Sequence, residues 1–449
     1  MKTKALRLVT LTLAVACLTS LAFSVERQPN AAYRARREAL AKKTDGGVVV
    51  LFAPVEKDTE IYGFRQEDNF YYLTGYEEPA AALLIAPAVE AKDKTPARPY
   101  TEILFLPAHN TVQEKWLGPK LGPDDPDAKQ RTGFDRVEVL DKMRDELARL
   151  VPSRATVYSD LPDFGETSAS PEGLDWLKRA NAFLGFVSFK DVKPMLASLR
   201  TIKDSGEVDL IRKAVDASAA AHLAAMKAMK PGVNEHEISA LMQYEWDKRG
   251  CDRPAYAPIV GAGFNSTVLH YSADDATIQN GDIIVIDAAG EYAMYAADIT
   301  RTLPANGKFT ARQREIYDIV LGAQQAAMNA FVSGKSKLVG RDDPDSLFKV
   351  AYEYINTHGK DSHGEPLGKY FIHGLGHYIG LNVHDAGDYT IPLAPGMTFT
   401  IEPGIYIPEE KLGVRIEDDY WVDPAGKLVK LSGSLPSTAE EVEKAMAGK

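Results

Sequence analysis

The sequence predicts an α+β protein of two domains, a smaller mixed α/β N-terminal domain and a larger C-terminal domain. The chain of 449 residues is 45% hydrophobic and 26% charged, which is an ordinary globular composition with enough length for two full cores. Strand-like and helix-like segments mix in the first half, and two long helical segments open the second. The pattern changes near residues 195–200, so we predict domains over 25–197 and 198–449.

Residues 1–24 are predicted to be a signal peptide. A basic start precedes an apolar run over 8–21, and residues 22–24 offer small side chains at the −3 and −1 positions of a cleavage site. The segment is too short and too poorly flanked to be a transmembrane anchor. We therefore expect an exported protein, periplasmic or secreted. An alternative is a lipoprotein signal with Cys17 acylated, although alanine replaces the usual leucine at its −3 position.

The charge and the cysteine content argue against nucleic-acid binding and against an intrachain disulfide. A net charge of −11 and the lack of any lysine and arginine block argue against a nucleic-acid partner. The chain has two cysteines, Cys17 and Cys251, so cleavage of the signal peptide would leave Cys251 without a disulfide partner. Stability is then expected from the core, bound metal and oligomerisation.

The N-terminal half shows short elements and no cluster of metal-ligating residues. Apolar runs bounded by turn residues predict strands over 46–54, 69–76, 81–87 and 101–107. Helical periodicity predicts helices over 31–43, 136–150 and 172–184. We expect this half to form a structural or substrate-gating domain.

The C-terminal half begins with two predicted helices. An alanine-rich helix runs from Ser205 to about Lys230, where Pro231-Gly232 stops it. A second helix covers about 235–248, with Asn234 as its N-cap.

Five residues of this half point to a metal site: Asp287, Asp298, His377, Glu402 and Glu417. Four are carboxylates in apolar or glycine-rich segments, and two unit charges ~4 Å apart repel by ~4 kcal/mol at an effective dielectric of ~20. Two divalent cations would balance them. One imidazole among carboxylates favours Mn²⁺, Zn²⁺, Fe²⁺ or Co²⁺. Two such ions ~3.5–4 Å apart can hold a bridging hydroxide and polarise a carbonyl, as a two-metal hydrolase requires.

The segment 281–303 is predicted to form a hairpin with two apolar arms around residues 289–291. Asp287 and Asp298 lie eleven positions apart, and an odd separation allows them to face each other across the hairpin. Like charges opposite each other destabilise a sheet, so a cation between them would explain both. Either aspartate alone would be read as a turn or edge residue.

Three of the nine histidines lie within residues 371–385. His373 and His377 have the HxxxH spacing of helical zinc peptidases, but three intervening or neighbouring glycines make a helix improbable. The glutamate that follows the first histidine in those enzymes is also absent. A lone histidine would more often be a core or surface residue, whereas His384 completes a cluster.

Glu402 and Glu417 each lie within an apolar alternating segment. Pro403 would place Glu402 at a strand end or bulge. Glu417 follows Arg415 by two, so both side chains would point to one face. Each short motif is weak evidence alone, and all five metal candidates in this order are strong evidence.

At this point the chain resembles aminopeptidase P (Xaa-Pro aminopeptidase), of the pita-bread metallopeptidases, over nearly all of its mature length. Residues 65–85 and 114–122 resemble the N-terminal domain of that family, and the metal motifs resemble its catalytic domain. The resemblance implies a C-terminal pita-bread catalytic domain that hydrolyses proline-containing peptides with two divalent ions. Mn²⁺ is the first expectation, with Zn²⁺, Co²⁺ or Fe²⁺ as alternatives.

By this resemblance, Asp287 would chelate one metal, and His377 with Glu402 the other, while Asp298 and Glu417 would bridge both. Glu402 would accept the proton of the bridging water and pass it to the leaving nitrogen.

The same resemblance places further residues around the substrate. His270 and His384 would contact the substrate and donate hydrogen bonds to the tetrahedral oxyanion, with His384 assisting proton transfer. His373 and Arg415 match positions behind the ligands or in the substrate pocket, and Tyr256 resembles the family tyrosine near the metals. The sequence Asp-Ala-Ala at 287–289 replaces the usual DAG or DMG, which should affect the turn rather than the ligands.

In the family a tryptophan of one subunit can close the active site of its neighbour, and Trp116 resembles it. The resemblance therefore implies a homodimer or homotetramer. The alternative is that Trp116 packs within its own domain, since large aromatic residues are usually mostly buried.

The expected function is hydrolysis of the N-terminal Xaa-Pro bond by an exported metallo-aminopeptidase. Prolidase, which cleaves only Xaa-Pro dipeptides with the same ligands, is the near alternative, although the N-terminal domain and the His270–Asp287 spacing favour aminopeptidase P. A metal-free binding module on the same fold would have lost at least one of the five ligands, and none is lost.

Overall fold

The computed structural model describes residues 26–56, 63–91, 97–151, 154–162, 172–184 and 187–448. The predicted signal peptide and Cys17 lie outside these residues. Among the helices that are described, none is long and apolar enough to cross a membrane. Cys251 is buried and forms no disulfide.

The N-terminal part of the chain builds one six-stranded mixed sheet. Its strands are β1 Val48–Phe52, β2 Ala82–Ala86, β3 Thr101–Leu106, β4 Val137–Val139, β5 Thr156–Ser159 and β6 Ser188–Asp191. Their order is β4-β3-β2-β1-β5-β6, with β1–β2 and β2–β3 antiparallel and the other pairs parallel. The helices are α1 Asn30–Lys43, α2 Asp68–Thr74, α3 Glu114–Leu117, α4 Ala128–Thr132, α5 Met143–Leu150, α6 Glu172–Leu184 and α7 Lys193–Arg200.

Both faces of this sheet are buried, which explains the continuous apolar strands. In β1, Val48 and Val50 join a core that includes residues of α5 and α6. The alternate residues Val49 and Leu51 face the other way, into a core that continues into the C-terminal part of the chain. The sheet is therefore fastened to the rest of the molecule by apolar packing.

The strand predicted over 69–76 is wrong, because these residues form α2. The side chain of Glu67 caps the helix by accepting hydrogen bonds from the backbone N–H groups of Asn69 and Phe70, and Gly75 ends it in a left-handed conformation with φ of 58°. The aromatic run had the composition of a strand, but burial and caps decide the helix.

The single helix predicted over 136–150 is also wrong in its first half. Residues 137–139 add β4 to the sheet edge beside β3, a short 3₁₀ turn follows, and only α5 is helical. The other predicted strands and the helices near 31–43 and 172–184 are confirmed.

The C-terminal part places helices around several small sheets. The helices are α8 Ser205–Ala228, α9 Glu235–Asp247, α10 Ala311–Ala330, α11 Leu347–His358 and α12 Ala439–Met446. The strands are β7 Arg253–Pro254, β8 Ile259–Ala262, β9 Ile283–Asp287, β10 Gly290–Tyr292, β11 Tyr295–Ala296, β12 Thr300–Pro304, β13 Thr398–Ile401, β14 Gly404–Ile407, β15 Leu412–Arg415, β16 Asp418–Val422 and β17 Leu428–Lys430.

Both predicted helices at the start of this part are confirmed. Asn234 caps α9 through a capping box with Glu237, and Asp204 does the same for α8 with Glu207.

The strands form three three-stranded sheets, β11-β10-β7, β12-β9-β8 and β13-β16-β17, and the pair β14-β15. Isolated bridges join Thr300 of β12 to Glu417, between β15 and β16, and Tyr378 of the histidine-bearing loop to Phe399 of β13.

The predicted hairpin over 281–303 is confirmed, but the predicted position of its turn is wrong. Ala293 and Met294, both with positive φ, form the turn between β10 and β11. Residues 289–291 lie in or beside a strand instead. The resulting register pairs Asp287 with Thr300, so Asp298 is displaced by two positions from the predicted place opposite Asp287.

Candidate metal centre

One cavity of about 580 Å³ collects ten of the eleven residues singled out in the sequence. These are Tyr256, His270, Asp287, Asp298, His373, His377, His384, Glu402, Arg415 and Glu417. The eleventh, Trp116, lies on α3 of the N-terminal sheet domain and is 85% exposed. The alternative that Trp116 packs inside its own domain is therefore wrong.

The four carboxylates stand where strands begin or end. Asp287 is the last residue of β9, and Asp298 lies two residues before β12. Glu402 fills the gap between β13 and β14, as its following proline predicted, and Glu417 lies between β15 and β16. Strand ends of three sheets thus bring distant parts of the sequence to one point.

The predicted absence of a helix around the histidines is confirmed. Residues 371–385 form an irregular loop, and His377 projects from it toward the carboxylates. The Nε2 atom of His377 lies 3.3 Å from Oδ2 of Asp298 and 3.5 Å from Oε1 of Glu402. Asp298, His377 and Glu417 each offer a ligand atom within 4.8 Å of the others, a spacing that one metal ion can bridge.

Asp287 lines the same cavity and is held by two hydrogen bonds. Its Oδ1 accepts a hydrogen bond of 2.6 Å from the hydroxyl of Tyr256, and its Oδ2 accepts one of 2.6 Å from Nη2 of Arg415. Nε of Arg415 donates to the hydroxyl of Thr300 at 3.1 Å, and that hydroxyl donates to Oε2 of Glu417 at 2.6 Å. One arginine and one threonine therefore orient two of the four carboxylates.

The electrostatics show a deficit of positive charge. Burial and the neighbouring carboxylates raise the pKa of Glu417 well above its usual value, and burial raises that of Asp298. Burial also raises the pKa of Glu402 to about 7. Burial opposes the charge on His377, but its hydrogen bond to Asp298 and the charge of Glu402 raise its pKa to about 9. Without added cations the site would hold protons instead.

The donor set fits divalent metal ions. Among the described residues that line the cavity, Arg415 is the one lysine or arginine facing four carboxylates. Oδ1 of Asp298 is buried and has no hydrogen-bond partner among the described residues. A buried carboxylate oxygen without a donor is costly, and a cation at this point would remove the cost.

His373 lines the cavity, but both of its ring nitrogens bond to the protein. Burial and the charge of Arg415 lower its pKa to about 3, so it is neutral. With its proton on Nδ1, it donates to the carbonyl of Gly374 at 2.8 Å, and Nε2 accepts from the hydroxyl of Tyr406 at 2.9 Å. Both ring nitrogens are thus engaged within the protein, which favours a supporting role over direct substrate contact.

His270 and His384 occupy the open side of the cavity. Both residues are exposed, and the ring of His384 stacks at a tilt on that of His377 with centroids 4.1 Å apart. Partial burial of the ring and the charge of His377 lower the pKa of His384, which favours its neutral form. Leu269 and Val383 beside them give the cavity an apolar wall.

Two residues that support the site, Thr300 and Tyr406, were not predicted from the sequence. Thr300 joins Arg415 to Glu417, and Tyr406 accepts a hydrogen bond of 2.8 Å from Nη1 of Arg415 while it holds His373. Thr300 follows Asp298 by two, a spacing that could have suggested a shared face. Tyr406 carries no comparable signal.

Comparison with known proteins gives matches over both parts of the chain. Residues 209–424 match the model of metallopeptidase family M24, and residues 33–158 match that of the aminopeptidase P N-terminal domain. The Xaa-Pro aminopeptidase of Haemophilus influenzae is 32% identical over 432 residues, covering 92% of this chain and 96% of that protein. The chain belongs to the aminopeptidase P family.

Other matches agree with this membership. The solved structure titled as a putative aminopeptidase P from Bacillus anthracis superposes with a TM-score of 0.83 at 28% identity, covering 94% of this chain and 99% of that one. Human Xaa-Pro dipeptidase is 31% identical over 462 residues, covering 90% of this chain and 89% of that protein. The predicted pita-bread fold is confirmed, and the chain is a metallo-aminopeptidase whose family implies divalent metal ions.

Proposed function

We propose that the protein is an exported Xaa-Pro aminopeptidase that binds two divalent metal ions, with Mn²⁺ preferred. The observation that supports this most is the convergence of Asp287, Asp298, His377, Glu402 and Glu417 on one cavity with too few cations of its own. Similarity over both domains to Xaa-Pro aminopeptidases supports the substrate class. The signal-like segment 1–24 supports export.

In this proposal Asp287 would hold one ion, His377 and Glu402 would hold the other, and Asp298 and Glu417 would contribute to both. Oxygen ligands with one imidazole suit Mn²⁺ and also permit Zn²⁺, Co²⁺ or Fe²⁺. When bound, the ions supply positive charge that polarises the scissile carbonyl and lowers the pKa of water.

The residues of the chain then perform the proton transfers. Glu402 lines the cavity beside Asp298 and His377, and in this proposal it takes a proton from the attacking water and delivers it to the prolyl nitrogen. That delivery matters because the leaving nitrogen becomes a secondary amine. The exposed rings of His270 and His384 are placed to donate hydrogen bonds to the oxyanion.

Prolidase activity is the second candidate, because human Xaa-Pro dipeptidase is also similar over most of the chain. Hydrolysis of Xaa-Pro and Xaa-Pro-Xaa peptides, after reconstitution with Mn²⁺, Zn²⁺ or Co²⁺, separates the two. We expect release of the first residue from the longer peptides. Cleavage of dipeptides alone would establish prolidase, and cleavage of neither would contradict the proposed substrate class.

Metal stoichiometry tests the dinuclear site separately. Elemental analysis of protein purified in Mn²⁺ should approach two ions per chain, and Glu417→Ala should lose at least the bridged arrangement of the two ions. A fully active protein that contains no transition metal would contradict this part of the proposal.

We also propose a homodimer or homotetramer in which Trp116 of one subunit reaches the cavity of its neighbour. The indole is 85% exposed, although exposed tryptophans are uncommon. Val112 and Leu117 beside it are 67% and 48% exposed. Together with Trp116 they form an exposed apolar patch suited to contact another chain.

A further inference from the structure

A buried histidine outside the cavity touches the backbone next to two of the carboxylates. His222 lies on α8 and is 1% exposed. Its Nε2 atom is 3.0 Å from the carbonyl oxygen of Ala288 and 3.0 Å from that of Ile299. Ala288 directly follows Asp287, and Ile299 directly follows Asp298. A single ring nitrogen therefore contacts both segments that present these carboxylates.

The ring must donate to both carbonyls. Burial, together with the charge of Arg301, lowers the pKa of His222 to about 4, so the imidazole is neutral and has one N–H. Carbonyl oxygens only accept hydrogen bonds, so the proton lies on Nε2 and is shared between them.

The strand pair needs such a donor at this point. From Ile283 to Asp287, β9 pairs regularly with β12, but beyond Asp287 the ladder weakens. The N–H of Ala288 still donates to the carbonyl of Ile299 at 3.2 Å, whereas the N–H of Ala297 reaches that of Gly290 only at 3.4 Å. The carbonyl of Ile299 thus accepts from the opposite strand as well as from His222, whereas for the carbonyl of Ala288 it is α8 that supplies the donor.

The same face of α8 makes a second contact with the hairpin. Ser218, one turn before His222, accepts a hydrogen bond of 3.0 Å from the backbone N–H of Gly290. This contact is to the start of β10, beyond the residues that follow Asp287 and Asp298, so it anchors a different part of the hairpin.

We propose that His222 is a positioning residue that sets the separation of Asp287 and Asp298, by holding the carbonyls of the next residues with one shared hydrogen bond. The two segments cannot spread apart without breaking that bond. The carboxylates are then preorganised for cations rather than assembled by them. This inference rests on the proposed function, since it takes Asp287 and Asp298 to be metal ligands.

Two substitutions of similar length separate the hydrogen bond from the packing. In His222→Gln the amide nitrogen can occupy nearly the position of Nε2 and offers two N–H groups for the two carbonyls. In His222→Met the side chain fills similar space without a donor. We expect His222→Met to weaken Mn²⁺ binding by about 10- to 100-fold, the usual cost of losing a group that orients metal ligands, and His222→Gln to remain close to the wild type.

The measurement is competition for Mn²⁺ with a chelating dye, with metal content determined on the same samples. Ser218→Ala is the matched control, because it removes a contact on the same helix face but none to Ala288 or Ile299. It should leave Mn²⁺ affinity unchanged. Equal affinity of the Met variant and the wild type would overturn the inference, as would equal weakening in the Gln and Met variants.

If His222→Met does not fold, His222→Asn replaces it. Its amide is too short to reach both carbonyls, so weakened Mn²⁺ binding is expected and wild-type affinity would overturn the inference. Mn²⁺ titration of the wild type separates a failure of the proposed function from a failure of the role of His222. A wild type that binds no Mn²⁺ would contradict the proposed function itself, whereas two tightly bound ions in both wild type and Met variant would contradict only the role of His222.

Discussion

Two buried regions of this molecule are rich in carboxylates, and they differ in where the balancing charge comes from. One is the metal cavity. The other, which we call the interdomain ion cluster, consists of Arg65, Asp68, Arg200, Lys203, Glu291 and Asp385. The cluster joins the N-terminal sheet domain to the loop that bears His384.

The interdomain ion cluster contains its own cations. Asp385 accepts hydrogen bonds from Arg200 and, at 2.9 Å, from Nζ of Lys203. Arg65 contacts Asp68 and Glu291, each at 2.8 Å. Burial opposes the charged form of Asp385, yet the charges of Arg200 and Lys203 hold its pKa below the usual value.

The metal cavity has the opposite balance. Four carboxylates there face one arginine, and the pKa values of Asp298, Glu402 and Glu417 are raised. The comparison shows that burial alone does not identify a metal site, because both regions are buried. The deficit of protein cations identifies it.

The largest effect on stability is expected from Lys203→Met in the interdomain ion cluster. Removing one partner of a buried ion pair leaves an uncompensated charge and costs about 3–5 kcal/mol. Because the cluster needs no metal, the loss in free energy of unfolding should be the same with Mn²⁺ and with EDTA. Urea denaturation in both conditions measures it.

Lys213→Met is the control for this substitution. Lys213 pairs with Glu26 at the surface, where both side chains are more than 40% exposed, so its loss should cost at most about 1 kcal/mol. If Lys203→Met lowers the free energy of unfolding only in the metal-loaded protein, the interdomain ion cluster depends on the metal cavity.

The next effect concerns catalysis. Glu402→Gln removes the proposed general base and should lower turnover by at least about 100-fold while the fold remains intact. Glu402 is also a proposed ligand, so metal content must be measured on the same sample. Near wild-type turnover at full metal content would exclude the proton-transfer role.

The two regions should also differ in their dependence on pH. In the metal-free cavity the pKa of Glu402 is raised from 4.5 to about 7, and that of His377 from 6.5 to about 9. Both groups bind protons more tightly in the folded than in the unfolded chain. The stability they contribute at low pH is therefore lost as pH rises from 4.5 to about 7 for Glu402 and from 6.5 to about 9 for His377. Metal binding needs the deprotonated ligands and strengthens over the same range.

We therefore expect the rise in melting temperature caused by Mn²⁺ to be larger at about pH 8 than at about pH 6. Calorimetry with Mn²⁺ and with EDTA checks this. Because the pKa of Asp385 is lowered, Asp385 loses its contribution to stability only under more acidic conditions. The fall in melting temperature caused by Lys203→Met should therefore be nearly constant between these pH values. A metal effect independent of pH would contradict the proton–metal exchange.

The same contrast explains what the sequence could predict. The five residues could be proposed as ligands from the sequence, because four carboxylates in apolar or glycine-rich segments and one histidine occur in a recognisable order. The interdomain ion cluster was not found, since Arg65, Arg200 and Asp385 are ordinary residue types far apart in sequence. Only the fold brings them together.

Local structure failed where tertiary context decides. Residues 69–76 have the composition of a strand, but the capping side chain of Glu67 makes them a helix. The two apolar arms predict a turn around residues 289–291, whereas the chain turns at Ala293 and Met294 in left-handed conformations that few alanines adopt. His222 left no signal, because a lone histidine in an alanine-rich helix resembles many others.

The smallest effect is expected at Trp116, outside both regions. The ring nitrogens of His109 lie 2.7 Å from Glu114 and 3.2 Å from Asp125, which braces the segment that presents the indole. Since the indole is 85% exposed in its own chain, Trp116→Ala should leave the melting temperature nearly unchanged. If Trp116 closes a neighbouring cavity, kcat/KM for longer peptides should fall by up to about tenfold, equivalent to roughly 1.4 kcal/mol.

The matched control is Trp176→Ala, because Trp176 packs edge-on against Phe52 with ring centroids 6.4 Å apart. This substitution should lower the melting temperature without selectivity for peptide length. A strictly monomeric active enzyme would exclude the shared site, and a large fall in melting temperature for Trp116→Ala would show that the indole stabilises its own chain.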